Sequence, residues 1–243
     1  MRRRPADGLD RVIAAALRVF ADKGYRGTQM SDVAREMRVA PGTLYGYVAG
    51  KDALFHLVVD RAFSGEPPSA PPRLPIPAPP PGATLARLRE RLTADSALPR
   101  LDSALRRPRP GDARAELEGI VGALYDRIAG AWQGIVMLER SALDWPELAH
   151  VFYAEMRRGL LQRLERYLAA RGQAGVLAQT PSAAAAARFV LETVAWFAMH
   201  RHRDRDAPLG DATARRTTIT LVANAFMRAG RGARATRKES RRR

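Results

Sequence analysis

Apolar residues recur along this chain at intervals of three and four, the spacing of one face of an α-helix. In the first 65 residues the pattern predicts four helices: one that ends at Gly24, one over 30–37, one that begins at Pro41 and one from near Lys51. The same periodicity continues through the rest of the chain, and no alternating strand pattern interrupts it. We therefore predict an all-α protein.

The later helices follow from the same spacing, together with breaks and caps. We expect, in chain order, a helix that begins at Leu85, a long one over 117–138 with a break near Gly130 or Gly134, one that runs from a capping box at Asp144 to about Ala170, and two over 182–203 and 211–229.

A proline-rich segment divides the sequence. Nine of the fifteen residues over 67–81 are proline, and proline lacks the backbone donor that a helix or a central strand needs. The segment is therefore predicted to be a semi-rigid connector or an extended strap. We expect an N-terminal domain over 1–64, a connector over 65–83, a ligand-binding and dimerisation domain over 84–230, and a basic tail over 231–243.

Composition limits the compartment and the chemistry. The chain has 243 residues and no cysteine, which excludes disulfides and thiolate metal sites. No apolar run is long enough to cross a membrane, and Asp7 and Asp10 interrupt the start of the chain where a signal peptide would need an apolar segment. We expect a cytoplasmic protein without a membrane partner.

The formal net charge is +16, which by itself suggests a polyanionic partner. Much of the excess is local, since residues 201–243 carry 13 basic and 4 acidic side chains. The C-terminal part of this stretch is predicted to be a solvated tail, and a nonspecific DNA-touching arm is the alternative.

The second and third helices have the spacing of a helix-turn-helix. Val39, Leu44 and Val48 are predicted to be its buried anchors. A helix of barely two turns cannot bury the polar tips of Thr43, Tyr45 and Tyr47 at once, and the sequence therefore suggests contacts with phosphates and bases. Gly42 lets the backbone come close to a partner, and Lys51 lies at an electropositive helix start where it can help to hold a phosphate.

This stretch resembles the tetracycline-repressor (TetR) family of bacterial regulators. The resemblance covers roughly residues 8–60, and it rests on Gly24-Tyr25 and Thr28, on Asp32-Val33-Ala34, and on Gly42-Thr43-Leu44-Tyr45 with Tyr47 and Lys51-Asp52-Ala53-Leu54. It implies a homodimer whose N-terminal heads read double-stranded DNA at a near-palindromic operator. It also implies a C-terminal domain that dimerises and binds a small-molecule effector.

The resemblance assigns DNA contacts residue by residue. Pro41, Gly42 and Thr43 would lie in the major groove, and Tyr45 would reach bases or phosphates. Phosphates would be held by Tyr47 and Lys51, and by Gln29 or Ser31 at the start of the second helix.

Three positions depart from the family pattern. Arg38 stands in the turn where glycine is usual, and a left-handed arginine there would cost about 1–2 kcal/mol. Ala40 replaces the usual serine cap, at a cost of about 1 kcal/mol. Val48 replaces a common phenylalanine. None of these changes removes a predicted DNA contact.

The last two helices are predicted to form the dimer interface, because their apolar seams suit a four-helix bundle across a two-fold axis. The residues assigned to it are Ala186, Phe189, Val190, Phe197, Ile219, Val222 and Phe226. Packing within one chain is the alternative. A ligand pocket is predicted from a second set of apolar and aromatic residues, for which ordinary core is the alternative. That set is Tyr125, Trp132, Met137, Phe152, Trp196 and Met199.

Catalysis is not expected. Glu147 and His150 match half of a di-iron ligand pattern that has no second copy here, and no phosphate-binding loop or nucleophile elbow occurs. We predict no cofactor and no metal. The leading hypothesis is a repressor that a small molecule releases from its operator. A constitutive, nucleoid-type DNA-binding dimer and a helical small-molecule binder with a non-functional head remain alternatives.

Overall fold

The computed structural model describes residues 6–63, 73–95, 98–204, 206 and 209–227. Regular structure in these ranges is helical, and the only strand-like pairing among them is an isolated parallel bridge between Val48 and Ile76. The all-α prediction is confirmed. None of the described helices is long and apolar enough to cross a bilayer.

The chain divides into two compact units, Met1–Ala97 with Arg127–Leu160, and Leu98–Asp126 with Leu161–Arg243. The predicted domain boundaries follow the sequence and do not coincide with this division, because two stretches beyond the connector pack with the N-terminal helices. The predicted basic tail over 231–243 lies outside the described residues, and so do residues 64–72 of the connector.

The first unit is built from helices around a core of aliphatic and aromatic side chains. Its elements are α1 (Ala6–Gly27), α2 (Met30–Met37), α3 (Pro41–Leu44), α4 (Lys51–Ala62), α5 (Ala83–Asp95), α8 (Trp132–Ala142), α9 (Pro146–Ala149) and a π-helical segment (His150–Arg157). Phe20 and Phe55 pack edge to face with ring centroids 5.0 Å apart, and both are fully buried. Burial of such large rings stabilises this core.

The end of α1 is fixed against α8 by a glycine. Gly24 has φ +72°, which favours glycine, and a Cβ there would lie 3.1 Å from the carbonyl oxygen of Arg140. The backbone N–H of Tyr25 then donates to the hydroxyl of Ser141 at 3.0 Å. This close approach sets the position of Tyr25 at the edge of the core.

The second unit contains α6 (Pro99–Arg106), most of α7 (Ala113–Gly130), most of α10 (Arg158–Gln173), α11 (Ala183–Ala198), a 3-10 turn (His200–Arg203) and α12 (Asp211–Phe226). Arg171 is 2% exposed, and its guanidinium donates to Glu116 and to the carbonyl oxygens of Ala104, Arg107 and Pro108. Each donor direction of the buried cation therefore has an acceptor, which offsets its desolvation.

Several predicted boundaries differ from the structure. Helix α6 was not predicted, because eight residues are too few to show a clear period. The capping box at Asp144 is wrong: Trp145 is the N-cap of α9 and no side chain caps that helix. The long helix breaks at Ala131, between the two glycines considered, and the last two helices end earlier than expected.

Candidate nucleic-acid interface

Helices α2 and α3 form a helix-turn-helix whose turn is held by backbone hydrogen bonds. Val33 and Ala34 bury one face of α2. Arg38 adopts the left-handed conformation (φ 57°, ψ 46°), and its backbone N–H donates to Arg35 while that of Val39 donates to Ala34. Arg38 therefore takes the left-handed conformation whose cost is considered above, and the hydrogen bonds of the turn hold this otherwise unfavourable backbone.

Helix α3 is a single turn that presents its N-terminal residues to solvent. Leu44 is fully buried, whereas Pro41 and Gly42 are exposed and Thr43 is half-buried. Tyr45 follows the helix and its side chain is 51% exposed. A Cβ added to Gly42 would meet nothing within 4 Å, so packing within the chain gives no reason for a glycine there. Pro41, Gly42, Thr43 and Tyr45 form the surface that we call the recognition surface.

Tyr47, to which the resemblance assigns a phosphate contact, is mostly buried. It is only 8% exposed, and a Cβ at Gly8 of α1 would overlap its hydroxyl. The ring therefore belongs to the core of the first unit, next to the fully buried Val48. Tyrosine suits such a position because its apolar body can be buried while its polar tip reaches the surface of a neighbouring helix. The phosphate contact of Tyr47 stays a prediction.

The start of α2 carries the predicted phosphate contacts Gln29 and Ser31. Gln29 is exposed, and Ser31 is partly exposed with its hydroxyl 3.4 Å from the Gln29 side-chain oxygen. Asp32 accepts the backbone N–H of Gln29 at 3.0 Å and pairs with Lys23 at 2.8 Å. The Lys23 hydrogen bond, followed by that of Gln29, lowers the pKa of Asp32. The Asp32 carboxylate is thus bound by groups of this chain.

Lys51 is the first residue of α4 and is partly exposed. Its ammonium lies 4.7 Å from the centroid of the Tyr25 ring and 3.4 Å from the carbonyl oxygen of Arg26. The aromatic face and the carbonyl both attract the cation and hold it beside the free amides at the helix start. Sequence reasoning used Tyr25 only as part of a motif and missed its role in positioning Lys51.

The predicted pocket residues fall in both units. Trp132, Met137 and Phe152 belong to the first unit, where Met137 and Phe152 are buried in the core. Tyr125, Trp196 and Met199 belong to the second, where Tyr125 and Met199 are buried and Trp196 is 40% exposed. The Tyr125 hydroxyl donates to the carbonyl oxygen of Phe197 at 3.2 Å. That these six residues hold a ligand stays a prediction.

The predicted dimer residues divide by exposure. Ala186, Val190, Val222 and Phe226 are buried within their own unit, whereas Phe197 and Ile219 are partly exposed and Phe189 is 48% exposed. Trp196 and Leu221, which were not assigned to this interface, are also exposed, Leu221 by 54%. Phe189 and Trp196 are seven residues apart on α11 and share one face. We use the name apolar stripe for these three exposed side chains of two neighbouring helices, Phe189 and Trp196 on α11 and Leu221 on α12.

The N-terminal region of the chain is similar in sequence to known proteins. Residues 12–58 match the model of the tetR family of bacterial regulatory proteins. Over 65 residues the chain is 40% identical to the HTH-type transcriptional repressor DrrR1 of Streptomyces coeruleorubidus. That match covers 24% of this chain and 24% of the length of the repressor.

Similarity of fold extends much further. The ketosteroid transcriptional regulator KstR2 of Mycobacterium tuberculosis has a TM-score of 0.58 at 16% identity, over 93% of this chain and 98% of that one. The TetR-family regulator PfmR of Thermus thermophilus has a TM-score of 0.53 at 19% identity, over 88% and 98%. AibR, solved in complex with isovaleryl coenzyme A and operator DNA, has a TM-score of 0.52 at 16% identity, over 88% and 97%. At these identities the likeness is one of fold alone.

Proposed function

The N-terminal region of this chain belongs to the tetR family of bacterial regulatory proteins, and on that premise we propose that the chain is a homodimeric transcriptional repressor that a small molecule releases from its operator. The observation that carries the proposal is the recognition surface, where a glycine without a packing role lies beside an exposed tyrosine. It would act where the DNA is, in the cytoplasm.

The recognition surface supports direct reading of bases. Pro41 and Gly42 leave the first turn of α3 without bulky side chains, so its backbone can approach the floor of a major groove. The Thr43 hydroxyl and the Tyr45 ring can then contact base edges, thymine methyl groups or phosphates. Gln29, Ser31 and Lys51 would fix the register on the phosphate backbone, and Tyr47 would support α3 from within the core.

The apolar stripe supports a dimer. Three large apolar side chains on α11 and α12 are between 40% and 54% exposed, which is unfavourable in water unless a partner covers them. A second copy offers the same stripe across a two-fold axis, so each subunit would cover the other. The dimer would place two recognition surfaces on two half-sites about 34–36 Å apart.

Binding of a small-molecule effector is supported by the fold. AibR shares this architecture and was crystallised with both isovaleryl coenzyme A and operator DNA. An effector that prefers the unbound dimer would weaken operator binding by a factor of about 5–150, the usual range of such coupling.

The proposal is tested by fluorescence anisotropy with the intergenic DNA beside the gene of this protein, over a range of salt concentrations. We expect specific binding that is lost in Thr43→Ala and Tyr45→Ala and kept in a chain truncated before residue 231. Binding that is equal for all sequences would instead indicate a constitutive, nucleoid-type protein. No binding at any salt concentration would indicate a helical small-molecule binder with a non-functional head.

A further inference from the structure

A cavity of about 370 Å³ lies in the first unit, beside the start of α4. Three aromatic residues, Tyr25, Phe55 and Trp145, form one part of its wall. The segment Pro79–Gly82 with Thr84 and Leu85 forms another, and Asp52 and Glu147 complete the lining. The volume lies within the range of small-molecule sites, which is about 300–1,000 Å³. We call it the strap cavity.

The three rings of the strap cavity form a compact cluster. The centroid of Tyr25 lies 4.9 Å from that of Phe55 and 4.9 Å from that of Trp145, and the centroids of Phe55 and Trp145 are 5.8 Å apart. Aromatic faces carry partial negative charge, so several rings in one wall attract a cation that has lost part of its water. One of these rings already does so on this chain, since Tyr25 holds the Lys51 ammonium.

The charge of the lining points in the same direction. The charged residues that line the strap cavity are the two acidic residues Asp52 and Glu147, which outnumber the one cation at the wall, the Lys51 ammonium 4.7 Å from the Tyr25 ring centroid; the whole chain has a net charge of +16. The Tyr25 hydroxyl donates a hydrogen bond to Asp52. Burial, together with that neighbour, raises the pKa of Tyr25 to about 12, so near neutral pH the phenol remains a neutral donor.

We propose that the strap cavity binds a lipophilic organic cation, a compound with one ammonium group and an apolar body. The rings of Tyr25, Phe55 and Trp145 would contact both the apolar body of the compound and its ammonium group. Asp52 and Glu147 would supply the counter-charge. An anion or an uncharged compound of equal shape would gain nothing from the two carboxylates.

We call the described part of the proline-rich connector, residues 73–83, the strap. It contributes Pro79–Gly82 to the cavity lining, and it is also hydrogen-bonded to the segment that follows α3. The backbone N–H of Ile76 donates to the carbonyl oxygen of Tyr47 at 2.8 Å, and the N–H of Ala49 donates to that of Ile76 at 2.8 Å. These two bonds join Ile76, which lies three residues before Pro79, to Tyr47 and Ala49, which follow the recognition surface in the chain. A cation that shifts the strap therefore acts on Tyr47 and Ala49, and this regulatory step rests on the DNA-binding function proposed above.

The binding step is tested without DNA, by isothermal titration calorimetry of the full chain. The probes are (4-hydroxyphenyl)trimethylammonium and its uncharged isostere 4-tert-butylphenol. The variants are Glu147→Gln, Asp52→Asn and Trp145→Leu, and the matched control is Glu36→Gln, which removes an exposed carboxylate on α2 outside the cavity. Circular dichroism verifies that each variant is folded.

We expect the cation to bind at one site at least tenfold more tightly than the isostere. Glu147→Gln and Trp145→Leu should each weaken the cation about tenfold, and Glu36→Gln should leave it unchanged. Glu147 is exposed at the first turn of α9, so this variant keeps the test valid if Asp52→Asn fails to fold. Equal binding of the two probes, or a cation affinity that Glu147→Gln does not change, would overturn the cation site.

The regulatory step has its own readout, the operator affinity with and without a saturating amount of the cation. We expect a change of at least fivefold in the wild-type chain and none in Glu147→Gln. An unchanged operator affinity with the cavity occupied would overturn the coupling through the strap. A chain that binds the cation but no DNA would contradict the proposed regulator and leave the cation site standing.

Discussion

The two units of this chain differ in some of the side chains that they bury and expose. The first buries aromatic rings such as Phe20 and Phe55 and exposes a polar aromatic residue, Tyr45. The second buries two arginines, Arg171 and Arg201, and exposes the apolar stripe. The difference agrees with the two partners proposed above, because an exposed hydroxyl-bearing surface suits nucleic acid whereas an exposed apolar stripe suits a second copy of the chain.

The largest effect is expected where the second unit buries charge. Arg171→Ala would leave Glu116 and three carbonyl oxygens without their donor, so the free energy of unfolding should fall by about 3–5 kcal/mol. Arg166→Ala removes an exposed arginine from the same helix and should change it by less than about 0.5 kcal/mol. Urea denaturation measures the free energy of unfolding of both variants. If Arg171→Ala lowers it no more than Arg166→Ala does, the buried network contributes little to stability.

Two tyrosines of the first unit, only two residues apart, should respond in opposite ways. Tyr47→Ala removes a buried ring, so the free energy of unfolding should fall by about 3 kcal/mol. Tyr45→Ala removes a ring that is 51% exposed and should leave stability nearly unchanged, while operator affinity falls by about 1–3 kcal/mol. Thermal unfolding and anisotropy on the same samples separate the two effects. A destabilised Tyr45→Ala variant would contradict the division.

The apolar stripe is tested by placing a charge in it. Leu221→Glu puts two like charges near each other across the two-fold axis, so the dimer should weaken by about 2 kcal/mol or more, which is at least a thirtyfold change. The control is Leu143→Glu, since Leu143 is even more exposed at 70% but lies outside the stripe. Sedimentation equilibrium measures the dimer. Unchanged association of Leu221→Glu would place the interface elsewhere.

Helical spacing was enough to predict α2 and the start of α3, because amphipathic faces are local in sequence. It could not predict the burial of Tyr47, since one short turn gives no period and a tyrosine suits either environment. Leu221 was missed for a related reason: several faces of α12 carry apolar or small residues, and only the packing shows which face stays open. The bridge between Val48 and Ile76 and the strap cavity join residues far apart in sequence, which no local pattern can indicate.

The smallest expected effect concerns the phosphate contact. Lys51→Gln should lower the affinity for all DNA sequences alike. The plot of log affinity against log salt concentration should become less steep by about 0.9 for each protomer, because each loses one phosphate contact. Gln29→Ala, which removes no charge, should weaken binding but keep the slope. Anisotropy at several salt concentrations gives both numbers, and a sequence-dependent loss in Lys51→Gln would mean that this residue reads bases.

The most direct test of the account is a panel of operator variants, each with one base pair changed, titrated with the wild-type chain and with Thr43→Ala. We predict that Thr43→Ala loses discrimination at one or two base pairs per half-site, placed symmetrically about the centre of the operator, and keeps it elsewhere. An equal loss of affinity for every variant, or a pattern without two-fold symmetry, would contradict the claim that α3 of two subunits reads the operator.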